Sequence, residues 1–383
     1  MRDKVSYNLK VQVCKNCIMD TTADDIIFDK FGVCNFCKDF EKRQSELKNN
    51  KKDLSKLINQ IKTQGEGKKY DCIIGVSGGV DSSFSLLKAC DLGLRPLAVH
   101  LDNGWNSELA QYNISKLIRN CKVDLFTHVI NWKEYRKLQQ AFFDANVMDV
   151  ELLMDNAMLS VNYKMAKKYN IKFILSGTNT ATEGFRIPSN WSWFKNDAKN
   201  IRSIVKKFSD QKINTFPSFS TFDFIYYEIM NKIEWILFPD YFDYTKDGAI
   251  ELLKNKINYK PYPYKHYESV FTRFYQAYIL PRKFGIDKRK LHLSNLLISK
   301  EINREQALRI LQQPTYPTID QEKKDIKYFL KKMNWSMKQL EEYISRPEIK
   351  HDSYPSEKTK WEKLKKIYQK SSFIKFIIKK TFK

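Results

Sequence analysis

The sequence predicts an α/β fold: a doubly wound parallel sheet, preceded by a small cysteine-held knob and followed by a basic helical region. Three observations carry this. Short apolar runs of strand length alternate with helical patterns between residues 70 and 175. Two CxxC pairs fall within the first forty residues. From residue 322 to the end, 18 Lys and Arg stand against eight Asp and Glu.

The 383 residues are 42% apolar, enough for a sizeable core in one large domain with appendages or in two domains. General disorder is excluded by that composition. No run of eighteen apolar residues reads as a membrane span, and the first ten residues are too polar for a secretory signal. The expected compartment is the cytoplasm. The net charge of +23 calls for an acidic partner, such as nucleic acid, anionic lipid or a phosphorylated substrate. A solvated lysine-rich appendage accounts for the same charge equally well.

Element by element, residues 10–40 form the knob. Residues 41–66 are charged, contain no proline and read as a solvent-facing helical linker. Residues 67–200 hold the strand–helix repetition. Strands are expected at 70–76 (YDCIIGV), 97–101 (LAVHL), 124–130 and 172–175, with helices at 82–90, 108–120 and 155–169. Such alternation implies a parallel sheet covered on both faces. Ligands then bind beyond the carboxyl ends of the strands, at residues 77–81, 102–105 and 176–179. Residues 201–320 are aromatic-rich, include a helix at 305–311, and read as a substrate-binding portion. Residues 321–383 form the basic helical tail.

Cys14, Cys17, Cys34 and Cys37 have the spacing of a four-thiolate zinc site. Four protein ligands leave no vacancy, so the centre is expected to be structural. An iron–sulfur cluster is the main rival, and unmetallated core cysteines are a third reading.

Ser77, Gly78, Gly79, Val80, Asp81, Ser82 and Ser83 follow a buried strand and open a helix. Glycines allow close backbone approach to phosphate, and free N–H groups at a helix start hold an anion. The three serines add hydroxyl donors. Asp81 either meets Mg2+ or fixes the loop. The lysine of GxxxxGK[ST] is missing, so this is not a Walker A loop. An ordinary glycine turn is the plain alternative.

SGGVDSS after YDCIIGV resembles the PP-loop signature of the N-type ATP pyrophosphatases. The resemblance implies a PP-loop fold, adenine nucleotide alpha hydrolase-like, with ATP split between its α and β phosphates. LSGTN (175–179), with Gly177 and Thr178, resembles the second nucleotide loop. LAVHLDNGW (97–105), with His100 and Asp102, occupies the strand end that contacts nucleotide. The cysteine knob, HLDNGWNSELA, GTNTATEG (177–184) and KFGIDKRKLHLSNLL (283–297) together resemble the N-acetyl sugar amidotransferases. That resemblance reaches nearly everything up to residue 320. It implies acetamidino-sugar synthesis for lipopolysaccharide O-antigen or for pseudaminic or legionaminic acid glycans. The carbonyl oxygen of a nucleotide-linked N-acetyl sugar would be adenylated and displaced by ammonia.

Under this reading Ser77, Asp81, Glu183 and Lys283 are catalytic candidates. Asn103, Asn179, Arg186, Lys288 and Arg289 are substrate-binding candidates. Lys283, Lys288 and Arg289 would supply cations to pyrophosphate or to an acidic sugar; a solvated basic turn is the alternative. Asp155 and Glu183 would position Mg2+ or ammonia, or serve as a helix-start cap and a loop acid. Trp191 and Trp193 either stack on sugar or base or pack in the core.

A tRNA-modifying PP-loop enzyme, thiolating or lysidine-forming, fits the knob and the basic charge. Sulfur transfer commonly needs paired cysteines after the loop, and only Cys90 and Cys121 follow it. A nucleotide-binding scaffold without activity is opposed by the intact loop. No glutaminase nucleophile is legible: position 2 is Arg2, and no cysteine sits in a GxCxG turn. Ammonia is therefore expected from outside, and the resemblance implies a separate glutaminase with a (β/α)8 cyclase-like partner. Residues 371–383 (SSFIKFIIKKTFK) suggest either a peripheral membrane contact or packing on protein.

Overall fold

The structure, a computed structural model, describes residues 11–49, 53–210, 212–263 and 267–370. Five parallel strands form one sheet: β1 (Cys72–Gly75), β2 (Pro96–Asp102), β3 (Leu125–Val129), β4 (Phe173–Ser176) and β5 (Glu234–Leu237). Their order is β3-β2-β1-β4-β5. Ile73 stands opposite Leu97 on one side and Ile174 on the other. The chain runs outward from β1 to β3, then returns to place β4 on the other side of β1. The crevice where the order reverses lies at the carboxyl ends of β1 and β4, the expected ligand position in such a sheet.

Alternation along each strand sends neighbours to opposite faces. Ile74, Ala98 and Leu175 meet Leu86 and Leu87 of the helix Val80–Asp91 and Leu117 of the helix Glu108–Cys121. Ile73, Leu97 and Ile174 meet Val161 and Ala166 of the helix Leu152–Lys168. With both faces covered, β1 and β4 read as continuous apolar runs, as buried parallel strands do.

Some elements differ from expectation. The linker is two helices, Asn35–Asn49 and Leu54–Gly65. The second is not solvent-facing throughout, because Leu57, Ile58 and Ile61 recur at helical spacing and are buried with the sheet's helical layer. Asp53 starts it by accepting from Lys56 N at 2.9 Å. The helix Trp132–Asp144, capped by Asn131, was not anticipated, nor was β5. β5 carries the sheet past the expected boundary at residue 200, and the helix Lys246–Ile257 packs on Val80–Asp91. Residues 234–257 thus belong with the sheet and its helical layer.

Among the described residues, no helix is long and apolar enough to cross a membrane. The proposed membrane segment at 371–383 lies outside the described residues.

Candidate active site and metal centre

The loop after β1 is held from several sides. Gly78 adopts a φ of 82°, and a Cβ there would lie 2.7 Å from Ala110 O. Only glycine fits that position. Its carbonyl accepts from Tyr259 and Tyr262 hydroxyls at 3.2 and 3.1 Å, and from Asn113 Nδ2 at 3.4 Å. Ser77 Oγ accepts from Gly79 N at 3.2 Å. Ser82 Oγ accepts from Ser77 N and donates to Gly79 O, both at 3.3 Å. Helix Val80–Asp91 begins without a side-chain cap, which leaves its first N–H groups for an anion.

The second loop presses on the first. A Cβ at Gly177 would lie 2.6 Å from Ser82 N. Asp81 Oδ1 accepts from Asn179 Nδ2 at 3.2 Å and from the Tyr244 hydroxyl. Burial, then the nearby Asp81 carboxylate, pushes the Tyr244 hydroxyl far up, so it stays protonated and donating. Asn179 also accepts from Thr182 N at 2.8 Å, capping the short helix Thr180–Glu183.

These loops border a cleft of about 300 Å³. Ser77, Gly79, Val80, Asp81, Ser82, His100, Asn103, Gly177, Thr178 and Glu183 line it, as the sequence suggested. His100 Nδ1 donates to Val76 O at 2.8 Å, and its Nε2 accepts from Asn106 Nδ2 at 2.9 Å. Sequence reasoning missed the opposite wall: Lys246, Tyr262, Glu268, Ser269 and Thr272. An antiparallel bridge between Asn106 and Ser269 and the bond from Ser107 N to Glu268 O at 2.9 Å attach that wall to the DNGWN loop. No local motif announces it.

Several expected site residues stand elsewhere. Asp102 turns away and accepts from Gly104 N at 2.8 Å, shaping its own turn. Asn179 sits behind Asp81 as a cap, 1% exposed. Arg186 binds the knob through Asp25 and lies over the Phe36 ring. Lys283 is no catalytic cation here: it donates to the Tyr343 and Arg346 carbonyls, each at 2.7 Å, at the end of the helix Met337–Ser345. Partial burial and Arg346 push its ammonium down to about 8. Arg289 pairs with Asp287 and donates to Gln313 O, each at 2.7 Å. Lys288 pairs with buried Glu151 at 2.9 Å. Asp155 pairs with Lys195 at 2.8 Å, in a cluster with Asp149, and does not fit a magnesium ligand beside Asp81. Trp191 and Trp193 are core: Trp191 donates to Thr22 O, and Trp193 stacks on His351 at 5.0 Å.

The four knob cysteines do converge. All are fully buried, and their sulfurs lie within 4.8 Å of one another. Cys14 Sγ accepts from Asn16, Cys17 and Cys34 N–H at 3.4, 3.4 and 3.2 Å. The cluster fits a zinc knob. It packs beside the short helix that ends at Glu183 and against residues 290–304. A Cβ at Gly184 would lie 2.4 Å from the Phe40 ring, and Lys290, Ser294 and Arg304 bond Asp20, Ile18 N and Cys17 O.

Cys72 is buried in β1, which pushes its thiol well up. Cys90 and Cys121, separate in sequence, come into side-chain contact. Cys90 sits at the far end of the helix that starts at the loop, about 15 Å along its axis, and Cys121 ends the helix Glu108–Cys121.

Residues 268–368 match the C-terminal domain of WbpG-like LPS biosynthesis proteins. An uncharacterized protein of Methanocaldococcus jannaschii, MJ1599, is 30% identical over 115 residues, 29% of this chain and 40% of that protein. The chain thus spans less than half the length of that relative. The NMN synthetase of Francisella tularensis aligns with a TM-score of 0.28 and 15% identity, over 56% of this chain and 97% of that one. The NH3-dependent NAD synthetase of Campylobacter jejuni aligns with a TM-score of 0.27 and 14% identity, over 58% and 94%. Structural likeness at that level carries no argument about activity. Residues 268–368 are thus similar to a WbpG-like C-terminal domain, and the sheet before them sets the SGGVDSS loop at its switch point, the arrangement that the PP-loop resemblance implies.

Proposed function

We propose that this chain is an ATP-using amidotransferase that converts the N-acetyl group of a nucleotide-linked sugar to an acetamidino group. One observation carries the reading. The phosphate loop, the second loop and the first residues of the WbpG-like segment border a single cleft. ATP and a second substrate can meet there.

An amide carbonyl resists ammonia. Its oxygen attacks the α phosphorus, and pyrophosphate leaves. Ammonia then adds to the imidate carbon, AMP departs with the original oxygen, and an acetamidine remains. The N–H groups of the uncapped helix start and the Ser77 and Ser82 hydroxyls bind the pyrophosphate portion. Lys246 lines the same cleft and adds a cation. Glu183 and Glu268 also line it and are the carboxylates that take a proton from the attacking nitrogen. Magnesium would travel with the triphosphate and neutralise charge on the leaving group, with Asp81 as its protein ligand. Zinc at the four cysteines is structural. A separate glutaminase with a (β/α)8 cyclase-like subunit, the partners that the family resemblance implies, supplies the ammonia.

The test is product analysis with ATP, magnesium, ammonium salt and a panel of nucleotide-linked N-acetyl sugars. Sugar-dependent release of AMP and pyrophosphate, with an acetamidino product by mass, is expected. ADP and phosphate as products sink the assignment, and AMP release driven by tRNA instead of sugar replaces it.

A further inference from the structure

Three of the seven cysteines lie outside the knob, and two of them form a pair that the proposed reaction does not use. Cys90 occupies the last turn of the helix Val80–Asp91, and Cys121 is the final residue of the helix Glu108–Cys121. Their thiols hydrogen-bond each other. Both are partly exposed, whereas Cys72 and the four knob cysteines are buried.

The fold creates this meeting. The two helices follow β1 and β2, run back along one face of the sheet and pack on each other. At their near ends the second helix closes on the phosphate loop: a Cβ at Gly78 would lie 2.7 Å from Ala110 O. At their far ends Cys90 meets Cys121, both at the edge of the same apolar layer. The chain turns sharply just beyond each. Gly93 N donates to Cys90 O at 2.9 Å, and Lys122 adopts a φ of 51°. Helix ends fray more readily than helix middles, so the sulfurs can close on each other without moving the sheet.

The surroundings suit a cross-link better than a nucleophile. Reactive cysteines sit at helix N-termini or beside cations. These two sit at helix C-termini, where the dipole disfavours a thiolate, and the Asp91 carboxylate acts on both in the same sense. Such a pair closes under sustained oxidation and stays as two thiols in a reducing compartment.

We propose that Cys90 and Cys121 form a reversible disulfide that clamps the two helices behind the phosphate loop. The oxidant is a small-molecule disulfide. One cysteine, as its thiolate, attacks a sulfur of that reagent; a mixed disulfide forms and one small thiolate leaves. The other cysteine, also deprotonated, attacks the protein-bound sulfur, and the second small thiolate leaves. The protein gives up two protons and two electrons, and the reagent is reduced to two thiols. A dithiol reductant reverses both steps.

The experiment is incubation of the native full chain with oxidised glutathione, then alkylation in denaturant and peptide mass analysis. Wild-type protein should yield one linked peptide pair holding Cys90 and Cys121, with the other five cysteines alkylated. Its thermal midpoint should rise by about 5 °C. Dithiothreitol should reverse both changes, and Cys121→Ser should show neither. A lasting glutathione adduct on either cysteine without linkage overturns the proposal. So does linkage of Cys90 to Cys72, or a linked pair with an unchanged midpoint. If Cys121→Ser fails to fold, the wild-type peptide map and midpoint decide. No readout needs ATP or sugar, so the proposed reaction is not at stake in the result.

Discussion

The cysteine knob and the phosphate loop both turn on a glycine of positive φ, Gly32 at 79° and Gly78 at 82°. Both suit an electron-rich centre held by backbone N–H groups. In the knob that centre belongs to the chain: three N–H groups point at Cys14 Sγ, and the four sulfurs face one another with no exposed surface. In the loop, the N–H groups at the helix start face an open cleft. A closed donor set holds structure, and an open one holds a ligand. The knob's role is visible in what it grips, since Phe40 supports Gly184 just after Glu183 of the cleft, and Lys290 and Arg304 tie it to the WbpG-like segment.

That contrast breaks if the open region proves structural. Asp81→Asn keeps an acceptor for Tyr244 and Asn179 but removes the charge. AMP release should fall roughly 10²–10³-fold, while unfolding free energy changes by less than about 1 kcal/mol. A loss of stability matching the loss of rate would make Asp81 a strut.

The closed region should behave in the opposite way. Cys14→Ser should reduce bound zinc from about one per chain to none and cost more than about 3 kcal/mol of stability. Metal analysis and denaturant unfolding read both. Full zinc content in Cys14→Ser would remove the knob from the comparison.

A third, fully closed polar site gives a pH signature. His351 Nε2 accepts from Asp149 N at 3.1 Å, and its Nδ1 donates to Asn200 Oδ1 at 2.8 Å, so the ring is neutral. Burial pushes its pKa down to about 4 from an ordinary 6.5, opposed by Asp149 and reinforced by Lys195. Between those values the unfolded chain binds the proton and the folded chain does not. Stability is therefore full above about pH 6.5 and is lost as pH falls toward 4, by about 3 kcal/mol. His351→Gln should flatten that part of the stability–pH curve; an unchanged slope assigns it to other groups.

Gly177→Ala sharpens the cleft side. Its Cβ would meet Ser82 N, backbone at the phosphate loop, so KM for ATP should rise about tenfold. Gly67→Ala meets no atom within 4 Å and serves as the control, with only the strain of its φ of 71°. The smallest effect is expected at Lys283. Lys283→Met should leave kcat and KM unchanged and lower stability by about 1 kcal/mol, through the carbonyls it satisfies. A large fall in kcat would return it to the catalytic set.

The sequence by itself determined the parts whose partners are close along the chain. The four expected strands, the cysteine spacing and the SGGVDSS loop were legible because period, ligand spacing and glycine-rich turns are local signals. Tertiary structure alone decided which charges face the cleft. KFGIDKRK looked like a cationic site, yet Lys283 and Arg289 are drawn to carbonyls near helix ends, and Lys288 to Glu151. The cleft's lysine is Lys246, from a segment with no motif. β5, no shorter than β1 or β4, was hidden because no glycine-rich turn follows it: the chain runs from Leu237 directly into the short turn Phe238–Tyr241. The physical reason is the same in each case: a charged side chain goes to whichever buried carbonyl or carboxylate the packed fold leaves within reach, and that geometry exists only after distant segments have met.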